Sequence, residues 1–177
     1  GAEYIICALH WGEEGAYKPN DEQVAIAHAA IDAGADIVYG SHPHVLQPVE
    51  EYNTGVIFYS MGNWSFGGNT APSDMDTAIA QVIVKRDIDG TVSTDKYVLT
   101  PCSISSSAGL NDYKPTPYEE GSDEYNRAMS KLDGSFDGPN LTVDYSFITP
   151  STPAPAPAPA PAPLPAVEEP EVSRTIT

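Results

Sequence analysis

Apolar positions follow two rhythms along the chain, and the rhythm changes near residue 50. Tyr4-Ile-Ile-Cys-Ala-Leu9 is an unbroken apolar run, the pattern of a strand buried on both faces. A polar loop over 10–20 follows. Val24, Ala27 and Ile31 then recur at helical spacing, which predicts a helix over about 21–33, capped by Asn20 or Asp21 and stopped at Gly34. Asp36-Ile-Val-Tyr39 predicts a second short buried strand. Strand, helix and strand in about forty residues make a βαβ unit with parallel strands.

Beyond that point the pattern is one of hairpins. Val49 to Tyr52 and Val56 to Ser60 flank Asn53-Thr-Gly55, and Thr77 to Arg86 meets Val92 to Leu99 across Asp89-Gly90. Both are turn sequences of the kind that joins antiparallel strands. Ser122 is placed to cap a short helix over about 123–132, with Asp123 and Glu124 in its first turn and Asp133-Gly134 at its end. Leu141 to Ile148 alternates and predicts a last strand. The fold class expected is therefore α/β passing into α+β over residues 1–150.

From about 151 to 177 the composition changes. Pro153 to Pro165 alternates proline with small residues, mostly alanine. Such a segment cannot bury a core; the expectation is a disordered tail or linker, drawn out as a polyproline II spacer about 40 Å long at roughly 3.1 Å per residue. Its other reading, a PxxP ligand, lacks flanking specificity residues.

Composition adds less. The chain has 177 residues, 25 acidic and 8 basic, for a net charge of −17; such a surface disfavours nucleic acid and anionic membranes. An acidic surface suits cations but is more often simply solvated. Two cysteines, Cys7 and Cys102, establish no disulfide framework, and Cys7, inside the apolar run, is expected to be a buried thiol. No apolar stretch approaches a membrane span and no signal peptide is visible. The chain enters a strand almost at its first residue, which reads as a fragment of a larger protein; the absent signal peptide then says nothing about secretion.

The chemistry concentrates at one predicted rim. His10 lies just past the first strand, and Gly40-Ser-His-Pro-His44 just past the second. Ligands bind outside the carboxyl ends of parallel strands in open α/β sheets, so the βαβ unit brings His10, His42 and His44 together. Imidazole is the commonest metal-binding side chain; Pro43 stiffens the loop and Gly40 leaves the backbone room to approach an ion or phosphate. A lone strand-end histidine or a lone His-x-His is more often structural, but three of the four histidines at one rim favour metal binding. His28, mid-helix, is not read as a ligand. Glu13 and Glu14 either orient a ligand or form a solvated acidic loop. Asn63 returns to the rim if the first hairpin runs out and back, with Trp11 and Trp64 then flanking the cleft or simply packing. Asp74 and Asp76, in a loop, read as solvated or turn residues.

His-Trp-Gly-Glu-Glu14, Gly34-Ala-Asp-Ile-Val-Tyr-Gly-Ser-His-Pro-His-Val-Leu-Gln-Pro48 and Phe58-Tyr-Ser-Met-Gly-Asn-Trp64 together resemble the CapA family of bacterial capsule (poly-γ-glutamate) synthesis proteins, over roughly residues 3–90. Pro19 and Gln23 also fit its pattern. That family is similar to calcineurin-like metallophosphoesterases, which implies the C-terminal half of an αββα sandwich. The resemblance implies His10, His42 and His44 as metal ligands, with His42 and His44 directed to different metals. It places Glu14, Asn63, Trp11, Gly40 and Ser41 at the substrate or behind the ligands. It further implies two divalent metal ions (Mn, Zn or Fe) in the full-length protein and an anionic surface polymer or phosphoester as substrate. The remaining ligands, an Asp-x-His, a bridging Asp and an Asn-His pair, belong to a missing N-terminal half of the same domain. The fragment alone is then expected to bind metal weakly and to be inactive, and the parent to work outside the cytoplasm, at the bacterial cell surface or secreted, in capsule biosynthesis, export or anchoring. A non-catalytic module that keeps the fold to bind polymer or partner is the alternative. An amidohydrolase-type barrel also uses His-x-His, but there the motif opens the domain and strand–helix repeats follow, whereas hairpins follow here.

Overall fold

A computed structural model describes residues 1–65 and 70–143. The proline-rich tail and most of the strand expected at Leu141 to Ile148 lie outside the described residues, as does the boundary expected at 150. The elements in order are β1 (Ile6–His10), α1 (Asp21–Asp32), β2 (Ile37–Ser41), β3 (Val49–Tyr52), β4 (Gly55–Phe58), β5 (Asp76–Arg86), β6 (Val92–Ser103), β7 (Thr116–Pro117) and α2 (Asp123–Leu132). The fold is mixed α and β, as expected.

Two sheets form. The first has order β1-β2-β4-β3, with β1, β2 and β4 parallel and β3 antiparallel to β4. The second is antiparallel, β5-β6-β7. Helix α1 starts where its caps dictate: the Asn20 side chain accepts from Gln23 N, and the Gln23 side chain accepts from Asn20 N, a reciprocal capping box. It covers one face of the first sheet, packing Ala27 and Ile31 against Val38, Ile57 and Tyr59. Strand periodicity sends the alternate residues Ile37, Val56 and Phe58 to the other face, where they meet Ala78 of β5, Leu46, Met61, and Ala128 and Leu132 of α2. The Phe58 and Tyr97 rings meet edge-on at 5.8 Å there.

Three sequence expectations change. β1 is not buried on both faces: it forms the edge of its sheet, and Ile6 is 62% exposed. Cys7 is correspondingly half-buried rather than buried, while Cys102 is buried; both thiols are free. Asp74 and Asp76 are not solvated. Both are buried, Lys131 Nζ bonds both carboxylates at 2.6 and 2.7 Å, and Arg127 and Tyr118 also bond Asp76. Burial raises the Asp76 pKa, but the hydrogen bonds from Arg127, Lys131 and Tyr118 outweigh it and hold the carboxyl below its ordinary value. Tyr17 also donates to Asp74 at 2.7 Å, so this buried junction ties α2 to the loop after β1.

Candidate metal site

The rim forms where β1 and β2 end side by side. Their parallel register puts His10 opposite Ser41, and the chain leaving β2 turns sharply through His42, Pro43 and His44. His42 and His44 have φ of 104° and 59°, the left-handed region that side chains other than glycine adopt at a cost of about 1–3 kcal/mol. Two strained residues alternating with a proline fix where both imidazoles point.

All three expected imidazoles converge. The His10 and His42 rings lie 4.6 Å apart and the His42 and His44 rings 6.0 Å apart. The tightest ligand grouping among the described residues is nonetheless a different triplet. Ligand atoms of Glu14, His42 and His44 lie within 4.8 Å of one another, and all three side chains are half-buried. Two imidazoles and a carboxylate make a donor set suited to zinc or manganese. His10 stands beside this group, more exposed. Glu14, read from sequence as a substrate or supporting residue, is thus placed as a ligand candidate, whereas Glu13 is exposed.

Hydrogen bonds hold the Nδ1 side of two rings. Asn63 donates from Nδ2 to the His44 carbonyl at 3.3 Å, which orients its amide, so its Oδ1 accepts from His44 Nδ1 at 2.6 Å. The lone pair of His44 is then on Nε2. Ser41 Oγ lies 3.2 Å from His10 Nδ1 and 3.3 Å from Leu9 O, so a hydroxyl anchors the Nδ1 side of the His10 ring. An imidazole whose other nitrogen is held in this way is oriented to bind a cation.

The remaining expected residues have other duties. Trp11 donates from Nε1 to Tyr59 O at 3.0 Å and stacks on the Tyr59 ring. A Cβ at Gly40 would collide with that carbonyl and with the indole. Gly40 is therefore small to let Trp11 cross β2, rather than to admit an ion. Trp64 is exposed, next to Asn63. His28 lies away from the rim, bonded to Glu50 at 3.0 Å and stacked on Tyr52. Glu50 also accepts from Tyr59 OH at 2.6 Å; burial, and then this bond, push the Tyr59 pKa up.

Residues 1–67 match the model of the family described as bacterial capsule synthesis protein PGA_cap. The chain is similar to the PGA biosynthesis protein CapA of Bacillus subtilis, 42% identical over 103 residues, which are 58% of this chain and 26% of the relative. It is similar to the capsule biosynthesis protein CapA of Bacillus anthracis, 52% identical over 65 residues, 37% of this chain and 16% of the relative. A probable polyglutamine synthesis accessory protein of Mycobacterium tuberculosis is 40% identical over 61 residues, 34% of this chain and 16% of the relative. The chain thus spans about a quarter or less of these relatives' lengths. Motif order, the βαβ rim and these matches agree: residues 1–67 match the family of bacterial capsule synthesis proteins, and the chain is similar to a part of the CapA proteins.

Proposed function

We propose that this chain supplies one side of a divalent-cation site in a larger protein that works in synthesis, export or anchoring of a capsule-type anionic polymer outside the cytoplasm. The observation that carries the cation reading is the grouping of Glu14, His42 and His44 within 4.8 Å, reached through two strained backbone positions. The relatives' printed names carry the polymer reading. Charge supports their combination: a chain of net charge −17 repels a polyanion unless a cation intervenes.

Glu14, His42 and His44 would hold the cation, with Asn63 orienting His44. His10, whose ring lies 4.6 Å from that of His42, would bind a second cation or accept a proton. A bound cation would supply Lewis acidity and an activated water for hydrolysis of a phosphoester. Full-length protein should carry about two equivalents of transition metal by elemental analysis, and His42→Ala should remove much of it. Metal-free full-length protein, without phosphoesterase activity when Mn²⁺ or Zn²⁺ is added, would refute the reading. Metal without hydrolysis would favour a polymer-binding module on the same fold.

The partner is a segment of the same longer polypeptide. β1 is entirely apolar over Ile6 to Leu9 yet lies at a sheet edge, and an apolar groove of about 520 Å³ opens between Ile6, Tyr39 and Phe58 on one sheet and Ala80 and Val84 on the other. β5 is likewise an edge strand. A continuous apolar strand is the composition of a sheet interior. Residues of the parent protein outside this chain would pair with β1 and fill the groove, bringing further ligands to the rim.

A further inference from the structure

The loop that carries Trp11, Glu14 and Tyr17 contains no helix or strand, so no ladder fixes it in place. Two buried glutamines reach it instead. Gln23 is 1% and Gln47 0% exposed. Gln23 Nε2 donates to Gln47 Oε1 at 2.9 Å, and Gln47 Nε2 donates to Ala16 O at 2.8 Å and Lys18 O at 3.2 Å. Gln47 therefore uses its carbonyl and both amide protons. Gln23 Oε1 accepts from Asn20 N at 3.1 Å, which roots the pair in the start of α1.

The same glutamine presses on the loop from its other end. Gly12 has φ +81°, and a Cβ there would lie 2.5 Å from Gln23 Oε1. The pair thus grips the loop at residues 12, 16 and 18, and Glu14 lies between the grips. Gln47 is three residues beyond His44 on the segment that presents both imidazoles. Gly15 N donates to Pro43 O at 2.8 Å, a direct tie between the two segments at the level of the ligands.

We propose that the Gln23–Gln47 pair is a positioning device for the cation site, holding the Glu14 loop in register with His42 and His44. It rests on the cation reading above. A carboxylate on an irregular loop must otherwise be ordered by the cation itself, and that ordering subtracts from affinity. Residues behind the ligands typically contribute about 10–100-fold in metal affinity.

The test is Zn²⁺ binding by the full-length protein, measured by competition with a chromophoric chelator, beside circular dichroism and thermal melting. Gln23→Glu keeps an acceptor for Asn20 N, and so keeps the capping box, but sets a carboxylate oxygen against Gln47 Oε1. Gln47→Ala removes the grip on Ala16 and Lys18. Asn20→Ala removes the cap side chain and leaves the pair intact. Both glutamine variants should stay helical and lose about 10–100-fold in Zn²⁺ affinity, while Asn20→Ala melts lower and binds as the parent does. If Gln47→Ala does not fold, Gln23→Glu decides. Glutamine variants that fold and bind Zn²⁺ normally overturn the proposal. So does an Asn20→Ala chain that loses equal affinity at an equal fall in melting temperature. Failure of the cation reading looks different: the unsubstituted full-length protein binds no Zn²⁺, or its Glu14→Gln variant binds Zn²⁺ as tightly as the unsubstituted protein does.

Discussion

His44 donates from Nδ1 to Oδ1 of Asn63 at 2.6 Å, and Asn63 returns a bond from Nδ2 to the His44 carbonyl. One side chain therefore fixes both the ring and the left-handed backbone of the residue it serves. Asn63→Ala should weaken Zn²⁺ binding by about 10–100-fold. Asn63→Asp keeps an acceptor for Nδ1 and should recover most of that loss. Chelator competition on the two variants measures both. Equal binding by the parent and Asn63→Ala would show that Asn63 serves only the loop.

Glu14 and His10 are distinguishable by titration. The ligand grouping contains Glu14 with His42 and His44 and leaves His10 beside it. For this chain, Glu14→Gln should reduce Zn²⁺ affinity more than His10→Ala does. The reverse order, read from isothermal titration of each variant, would return the site to the three-histidine set expected from sequence.

The Lys131 ammonium is buried between Asp74 and Asp76. Lys131→Met removes the cation and leaves two buried carboxylates, an arrangement that typically costs about 3–5 kcal/mol; Arg127 on Asp76 and Tyr17 on Asp74 keep the effect near the lower end. Urea unfolding measures it. The acid dependence follows from Asp76, whose pKa the fold depresses. A depressed carboxyl stabilises the fold at pH above its unfolded value of about 3.9, and that contribution fades as the pH falls toward the folded value. The urea midpoint should therefore fall as the pH drops below about 4, and Asp76→Asn should show a shallower fall from a lower starting point. Parallel curves for the two proteins would contradict the assignment.

The open groove predicts behaviour of the chain by itself. Ile6 and Tyr39 are exposed beside it, so the chain should bind a hydrophobic dye, and Ile6→Lys should reduce that binding. If the proposed pairing with β1 holds, the full-length protein should not bind the dye. Dye binding that persists in the full-length protein would show that nothing of the parent covers this face.

Much of the fold was legible because its signals are local. Asn20 and Gln23 cap α1, Ser122 caps α2, and the two hairpins turn at Asn53 and at Asp89-Gly90; each is decided within a few residues. The convergence of His10 with His42 and His44 was also legible, since parallel strands in a βαβ unit end on one side. What was not legible depends on distant pairing. Asp74 and Asp76 look like loop acids until α2 brings Lys131 and Arg127 to them across more than fifty residues. Gly40 looks like an anion approach until Trp11 is seen crossing it. β1 reads as an interior strand because its residues are all apolar from Ile6 to Leu9, yet the sheet ends at it. Glu14 was singled out over Glu13 by the resemblance, but as a substrate or supporting residue; an irregular loop gives no periodicity from which to read it as a ligand.

The Tyr17–Asp74–Lys131 junction has a further consequence for where this molecule is divided. The family match ends at residue 67, yet Tyr17, inside the match, is anchored by an acid and a base that lie beyond it. Leu46 and Met61, also inside it, share their core with Ala78, Ala128 and Leu132. The end of the family match is here not a boundary of cooperative folding. A piece cut at 67 would keep every residue of the rim and lose the frame that holds them still.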